Sequence, residues 1–206
     1  MSRTQCSKQE NTPKPNTPQY MVRLWKEDEL IDCDSVIWVA DWARRFTTNR
    51  LDNDVSNCVH RCVIGTYQLG YLYNYLKIED KDARQSYFEE GIASALLHFI
   101  ASYEMTGRNY DPFLGETWSR IMEGFLKESD TKELIKDLSV YVYKYQRWML
   151  YWDMGRRKRW DEKELTRNLF SISLLLLSIA KNEHCNLARG FQYCMQKLLD
   201  QEIKRH

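Results

Sequence analysis

The chain has 206 residues, of which 43% are hydrophobic and 29% are charged. This composition supplies a buried core for one domain, and it excludes disordered proteins and disulfide-dense scaffolds. The 30 Lys and Arg residues nearly balance the 29 Asp and Glu residues, which argues against a protein that coats nucleic acid. With only 8 Gly and 4 Pro, a turn-rich all-β fold is not expected.

The first part of the chain differs from the rest. Residues 1–19 are polar, include Pro13, Pro15 and Pro18, and lack the apolar run that a secretory signal requires. We therefore expect a flexible N-terminal arm over residues 1–19 and an all-helical domain over residues 20–206. We also expect a reducing intracellular compartment, either the cytoplasm or, as the alternative, the nucleus. In such a compartment the six cysteines are free thiols.

Apolar residues recur at helical spacing through the rest of the chain, and no segment alternates for long enough to predict a strand. The prediction is an all-α fold, a single bundle of about seven helices with short connections. Asp161, followed by Glu164, resembles a capping box, Asn186 is a candidate N-cap, and Gly107 suits a left-handed helix terminus. In chain order, the predicted helices cover residues 36–47, 54–76, 82–105, 116–127, 130–154, 162–182 and 187–203.

The longest apolar run covers residues 169–180. A membrane-spanning helix needs about 20 apolar residues, so this run is too short to cross a bilayer. We interpret it as part of a helix that is buried on most of its sides, and we expect no membrane span.

Few residues point to catalysis or metal binding. Cys58 and Cys62 share a helical face, but His60 points to the opposite side and no second pair completes a zinc site. We interpret both cysteines as buried packing residues and predict neither metal nor cofactor. His98 lies on an apolar helix face, which favours a core histidine, with a buried histidine of shifted pKa as the alternative.

An aromatic segment over residues 141–152 is the most unusual stretch of the sequence. Tyr141, Tyr145, Trp148 and Trp152 are spaced along one helical face, while other aromatic residues lie around the rest of the helix. Tryptophan and tyrosine are enriched in binding hot spots, so this segment predicts a partner-binding surface, with core packing as the alternative. A second row on the predicted helix 54–76 has the same spacing: Tyr67, Tyr71 and Tyr75.

A basic loop precedes Trp160 and is the densest charge feature of the chain. It consists of Arg156, Arg157, Lys158 and Arg159. Such a loop can dock an acidic partner or a phosphate group. Nucleic-acid binding stays open as an alternative at this loop, although no basic stripe extends it.

Three segments resemble the B-cell-lymphoma-type apoptosis regulators. The amphipathic segment 37–46 looks like the N-terminal motif of that family, and residues 152–161 look like its second tryptophan motif. Thr117-Trp118-Ser-Arg120 resembles its Asn-Trp-Gly-Arg motif, with Thr and Ser in place of Asn and Gly. The resemblance implies a groove that holds a partner's amphipathic helix, with Trp118 and Arg120 at its rim.

Two other segments resemble the MazG-like nucleotide pyrophosphohydrolases, which are also all-helical. Residues 67–72 look like their first metal-binding motif with its acids replaced, and residues 90–107 look like their second metal-binding helix. Ser94 stands where that family has an aspartate. Because magnesium needs those carboxylates, this resemblance implies a relative that has lost catalysis.

Together, these features predict a non-enzymatic intracellular interaction module that binds a partner helix or subunit through an aromatic-rich groove. The alternatives are a MazG-like relative without its metal site and a structural subunit of a larger assembly. The candidate partner-binding residues are Trp118, Arg120, Tyr141, Tyr145, Trp148, Trp152 and Trp160, with the basic loop Arg156, Arg157, Lys158 and Arg159 beside them.

Overall fold

The structure is a computed structural model that describes residues 56–107, 129–155 and 161–203. Over these ranges it is all-helical and contains no strand, which confirms the predicted fold class. The predicted number of helices was about seven, whereas these ranges contain five. The predicted helices 36–47 and 116–127 and the predicted arm 1–19 lie outside the described residues. The five are α1 (Ser56–Tyr75), α2 (Lys81–Glu104), α3 (Thr131–Asp153), α4 (Glu162–Asn182) and α5 (Leu187–Ile203).

Short polar side chains fix where three of the helices begin. Asp80, Asp161 and Asn186 accept backbone N–H groups of the first turns of α2, α4 and α5, at distances between 2.9 and 3.2 Å. The predicted caps at Asp161 and Asn186 are thus confirmed. Asp130 is the N-cap residue of α3, but its side chain makes no capping hydrogen bond. Gly107 has φ +81°, as its predicted left-handed position requires.

Helix α2 is the centre of the bundle and contacts α1, α4 and α5. Its interior-facing residues are almost completely enclosed, with Phe88, Ile92, Leu96 and Phe99 at its core. Helix α1 approaches α2 closely at Gly65, where an added Cβ would lie 3.1 Å from the Phe99 ring. A small residue at this position therefore sets the distance between the two helices.

Helix α4 carries the apolar run that the sequence placed inside the protein. Leu165, Leu169, Ile172 and Leu176 are fully buried, and twelve of its residues are buried altogether. The expectation of a helix buried on most of its sides is confirmed. Within the described ranges, no helix combines the length and apolar character that a membrane span requires.

A buried carboxylate holds α5 against α2. The Glu89 side chain is 2 % exposed and accepts two hydrogen bonds of 2.7 Å from the Arg189 guanidinium. It also accepts a hydrogen bond from the backbone N–H of Asn186, at 2.7 Å. Close packing accompanies these bonds, since a Cβ at Gly190 would lie only 2.4 Å from the Glu89 carbonyl oxygen. The start of α5 is therefore tied to α2 through both charge and shape.

Candidate functional site

The aromatic residues of the α3 segment range from fully buried to exposed. Tyr145 is 0 % exposed; its hydroxyl donates to the Phe99 carbonyl at 3.1 Å and lies 2.9 Å from the Ser102 hydroxyl. The prediction that Tyr145 binds a partner is therefore wrong, because its whole side chain is enclosed in the core. Three further candidates are half-buried and pack against the core: Tyr141, Trp148 and Trp152.

The other predicted site residues lie outside the described residues. These are Trp118, Arg120 and Trp160, and the basic loop Arg156, Arg157, Lys158 and Arg159. Their part in binding stays a prediction.

An open groove runs between α1 and α3 and encloses about 310 Å³. Its floor is apolar, with Leu69, Leu138 and Val142 buried beneath it. Its rims carry two exposed tyrosines, Tyr73 at 42 % and Tyr143 at 66 % exposure. The complete lining, here named the α1–α3 groove, consists of Thr66, Leu69, Gly70 and Tyr73 of α1 and Ile135, Leu138, Ser139, Val142, Tyr143 and Gln146 of α3.

The two ends of the α1–α3 groove differ in their polar groups. At one end the Gln146 amide donates to the Thr66 hydroxyl across the groove, at 2.6 Å. At the other end the Lys77 ammonium group lies 5.8 Å from the centre of the Tyr73 ring. Lys136 lies one turn before the lining residue Ser139 on α3, and its ammonium group is paired with the Glu133 carboxylate. One end is therefore neutral and hydrogen-bonded, whereas the other carries charged side chains, among them Lys77, Lys136 and Glu133.

Gly70 has no side chain, which leaves the α1 side of the groove open. A Cβ at this position would meet nothing within 4 Å, so no close packing requires a glycine. Glycine inside a helix costs about 0.5–1 kcal/mol relative to alanine, through backbone entropy and poor helix propensity. What glycine provides at this position is an open groove, because any larger side chain would project into it.

A row of aromatic rings follows α1, with one edge-to-face pair and two stacked pairs. Ring centroids lie 5.0 Å apart between Tyr67 and Tyr71, 6.2 Å between Tyr71 and Tyr75, and 5.3 Å between Tyr75 and Tyr87 of α2. The Tyr67 and Tyr71 hydroxyls are hydrogen-bonded to each other. Tyr67 and Tyr71 of α1 and Tyr87 of α2 are exposed, so this row forms an aromatic surface on α1 and α2.

Arg61 and His98 form a buried polar contact between α1 and α2. Arg61 is 9 % exposed, its Nη1 lies 3.5 Å from His98 Nδ1, and its buried Nε has no hydrogen-bond partner among the described residues. Burial, and then the charges of Arg61 and His60, lower the pKa of His98 to about 3. His98 is consequently neutral near pH 7, which matches the pKa-shifted alternative considered for it.

The cysteines of the described residues are packing residues. Cys58 and Cys62 are buried, as interpreted from the sequence, and His60 is exposed. Burial raises the pKa of Cys58 to about 11 and that of Cys194 to about 12, so both remain thiols near pH 7. Within the described ranges, no three His, Cys, Asp or Glu residues are grouped so that they could hold a metal ion.

Sequence reasoning missed the α1–α3 groove. The available signal was the spacing of Thr66, Leu69 and Tyr73 on one side of α1, with Gly70 among them. In comparisons with known proteins, no family model, curated protein or solved structure matches the chain.

Proposed function

We propose that this chain is a non-enzymatic intracellular interaction module whose α1–α3 groove binds an amphipathic helix of a partner protein. The observation that carries the proposal is an open apolar groove with exposed tyrosines on both rims. Helix-in-groove recognition places an apolar helix face into such a surface. Tyrosine suits the rim because it buries a large area with few rotatable bonds and keeps a polar tip in water.

The dimensions of the groove favour side-chain insertion. A volume of about 310 Å³ is at the lower end of the range for ligand pockets, about 300–1,000 Å³. A helix has a diameter of about 10 Å with its side chains, so a whole helix does not fit inside. A partner helix therefore rests on the tyrosine rims and inserts a few large apolar side chains between them.

The length of the groove fits two turns of a helix. Its α1 wall extends from Thr66 to Tyr73, which is about 10 Å at a rise of about 1.5 Å per residue. Apolar residues at positions i, i+3 or i+4, and i+7 of a partner helix cover the same length. The described surface thus matches the spacing of an amphipathic helix.

Gly70→Leu tests the proposal because it fills the groove without removing a contact. We expect Gly70→Leu to weaken binding by at least about tenfold, since leucine occupies the space for the partner's side chains, while helix propensity keeps or raises stability. The matched control is His60→Leu, which places the same side chain at an exposed position of α1 that is more than one turn from the groove lining.

Binding is measured by fluorescence anisotropy with the full chain and a panel of labelled 16-residue helical peptides, each with leucines at i, i+4 and i+7. Melting temperatures of both variants report folding separately. The proposal fails if no peptide binds the wild-type chain, or if Gly70→Leu binds as tightly as His60→Leu.

A further inference from the structure

We infer that the partner helix is acidic, and that its carboxylates meet a lysine cluster at one end of the α1–α3 groove. The cluster consists of Lys77, Lys132 and Lys136, and it is named the lysine end below. This inference rests on the proposed function and adds the charge of the partner and its placement in the groove.

Helix α1 contributes no negative charge to the groove. Its sequence, SNCVHRCVIGTYQLGYLYNY, contains neither Asp nor Glu. The charged residue that follows its groove wall is Lys77, four residues after Tyr73, and the Lys77 ammonium group lies over the Tyr73 ring. A carboxylate of a partner helix on this wall meets no repulsion from α1.

Helix α3 places two lysines on the side that lines the groove. Lys132 is three residues before Ile135, and Lys136 is three residues before Ser139, so each lies one turn from a lining residue. Both lysines are exposed. They are therefore within reach of a helix that rests on the α3 rim.

Asp137 is an acidic residue of this part of α3 that lies on a different side. Asp137 is three residues before Val140 and seven before Lys144, neither of which lines the groove. Glu133 pairs with Lys136 at 2.5 Å, and Asp130 makes a small contribution to the raised pKa of Lys136. These two carboxylates offset part of the positive charge. Lys132 lies one turn from a lining residue of α3, and Lys77 lies in the turn after α1 with its ammonium group over the Tyr73 ring.

The opposite end of the groove does not select for charge. Thr66 and Gln146 are neutral and satisfy each other through their hydrogen bond. A helix with carboxylates beside one end of its apolar face therefore complements the groove, whereas a helix with lysines there faces like charges. Complementary charge at a rim mainly sets specificity and association rate.

The test compares two labelled peptides with the same leucines. One carries three glutamates at one end of its apolar face, and the other carries three lysines at those positions. Exposed ion pairs are individually weak, but the three glutamates act together. We therefore expect the acidic peptide to bind the full chain about tenfold more tightly than the lysine peptide at low salt. The preference should shrink at about 0.5 M salt, where charges are screened over a few ångströms.

Charge reversal locates the effect. The double variant Lys132→Glu, Lys136→Glu should lose or invert the preference for the acidic peptide. The control is Lys163→Glu, Lys181→Glu on α4, which changes the net charge equally at exposed positions outside the groove lining and should keep the preference.

The outcomes separate the inference from the proposed function. If both peptides bind the wild-type chain equally, the acidic partner is excluded and the groove function stands. An equal loss of preference in the two double variants also overturns the inference, because net charge would then explain it. Absence of binding by either peptide, and by the wider leucine panel, refutes the groove function itself.

Discussion

His98 and Arg61 lie together between α1 and α2, where burial acts on both in the same direction. Burial lowers the pKa of each side chain, since the charged form loses its hydration. Arginine remains charged in proteins because its pKa starts above about 12. The histidine loses its proton instead, and the contact then joins a buried cation to a neutral ring. A proton on His98 would place two positive charges 3.5 Å apart.

The free energy of unfolding should depend on the protonation of His98 at acidic pH. The pKa of His98 is about 6.5 when unfolded and about 3 when folded. Between these values the unfolded chain binds a proton that the folded chain does not, so the free energy of unfolding falls as pH decreases. The contribution is complete above about pH 6.5, and its slope below is at most about 1.4 kcal/mol per pH unit.

Urea titrations between about pH 4 and pH 7 measure this slope. His98→Gln should flatten it, because the variant has no titrating group there. His184→Asn, at an exposed position with φ +52°, which asparagine tolerates, is the control and should keep the wild-type slope. Equal slopes in His98→Gln and the wild type would contradict the assignment.

The packing of α5 against α2 depends on a close backbone approach at Gly190. Adding one methyl group at this position tests that approach. Gly190→Ala places a Cβ within 2.4 Å of the Glu89 carbonyl oxygen, so α5 must move away from α2. We expect a loss of about 1–3 kcal/mol, because overpacking exceeds the gain in helix propensity. Gly70→Ala is the matched control, with nothing within 4 Å of its added Cβ, and should gain about 0.5–1 kcal/mol.

Chemical denaturation of both variants gives the comparison. If alanine at Gly190 were as stabilising as alanine at Gly70, α5 could not lie as close to α2 as the structure has it. Both variants keep the Glu89 and Arg189 side chains. A weaker ion pair between these two residues would therefore not make Gly190→Ala as stable as Gly70→Ala.

At the scale of a single helix, the sequence predicts those features that depend only on neighbouring residues, such as where the helix begins and ends. Asp161 and Asn186 start their helices because a short polar side chain reaches the first-turn N–H groups, and this depends only on neighbouring residues. The helical period also shows which residues share a face. Gly107 ends α2 for a similarly local reason, the left-handed conformation that glycine adopts without strain.

Which face of a helix is buried depends on how the other helices pack against it. The residue pattern of that helix alone does not predict this. Tyr145 and Tyr143 are two residues apart in one aromatic segment, yet one is enclosed and the other is on the groove rim. The difference arises because α3 packs against α1 and α4 with the Tyr145 side inward. The α1–α3 groove likewise needs two helices that are distant in the chain, since Thr66 and Gln146, which meet across it, are 80 residues apart. The pattern of one helix alone does not reveal such a pairing.

At the scale of the whole molecule, α2 is enclosed by α1, α4 and α5, and the buried thiols report whether that enclosure opens. Cys58 and Cys62 lie on α1 and Cys194 on α5, all buried against this centre. Because the thiolate is the reactive form and burial raises each pKa, the folded protein should resist alkylation at all three.

Iodoacetamide labelling at about pH 8, followed by mass spectrometry of peptides, measures this. We expect slow modification of the three cysteines in buffer and rapid modification in denaturant, with Cys58, Cys62 and Cys194 reacting together if the bundle opens cooperatively. Fast labelling of Cys194 alone in buffer would show instead that α5 detaches from α2 independently.

The groove draws its rim from sides of α1 and α3 that take no part in enclosing α2. Tyr73, Ser139 and Tyr143 can consequently be exchanged during divergence while Phe88, Ile92 and Leu96 keep the architecture intact. Under the proposed function, partner choice depends mainly on these rim positions, whereas the groove floor of Leu69, Leu138 and Val142 belongs to the core. A lineage built on this arrangement can acquire new recognition preferences by replacing a few rim side chains, without first sacrificing the integrity of its interior.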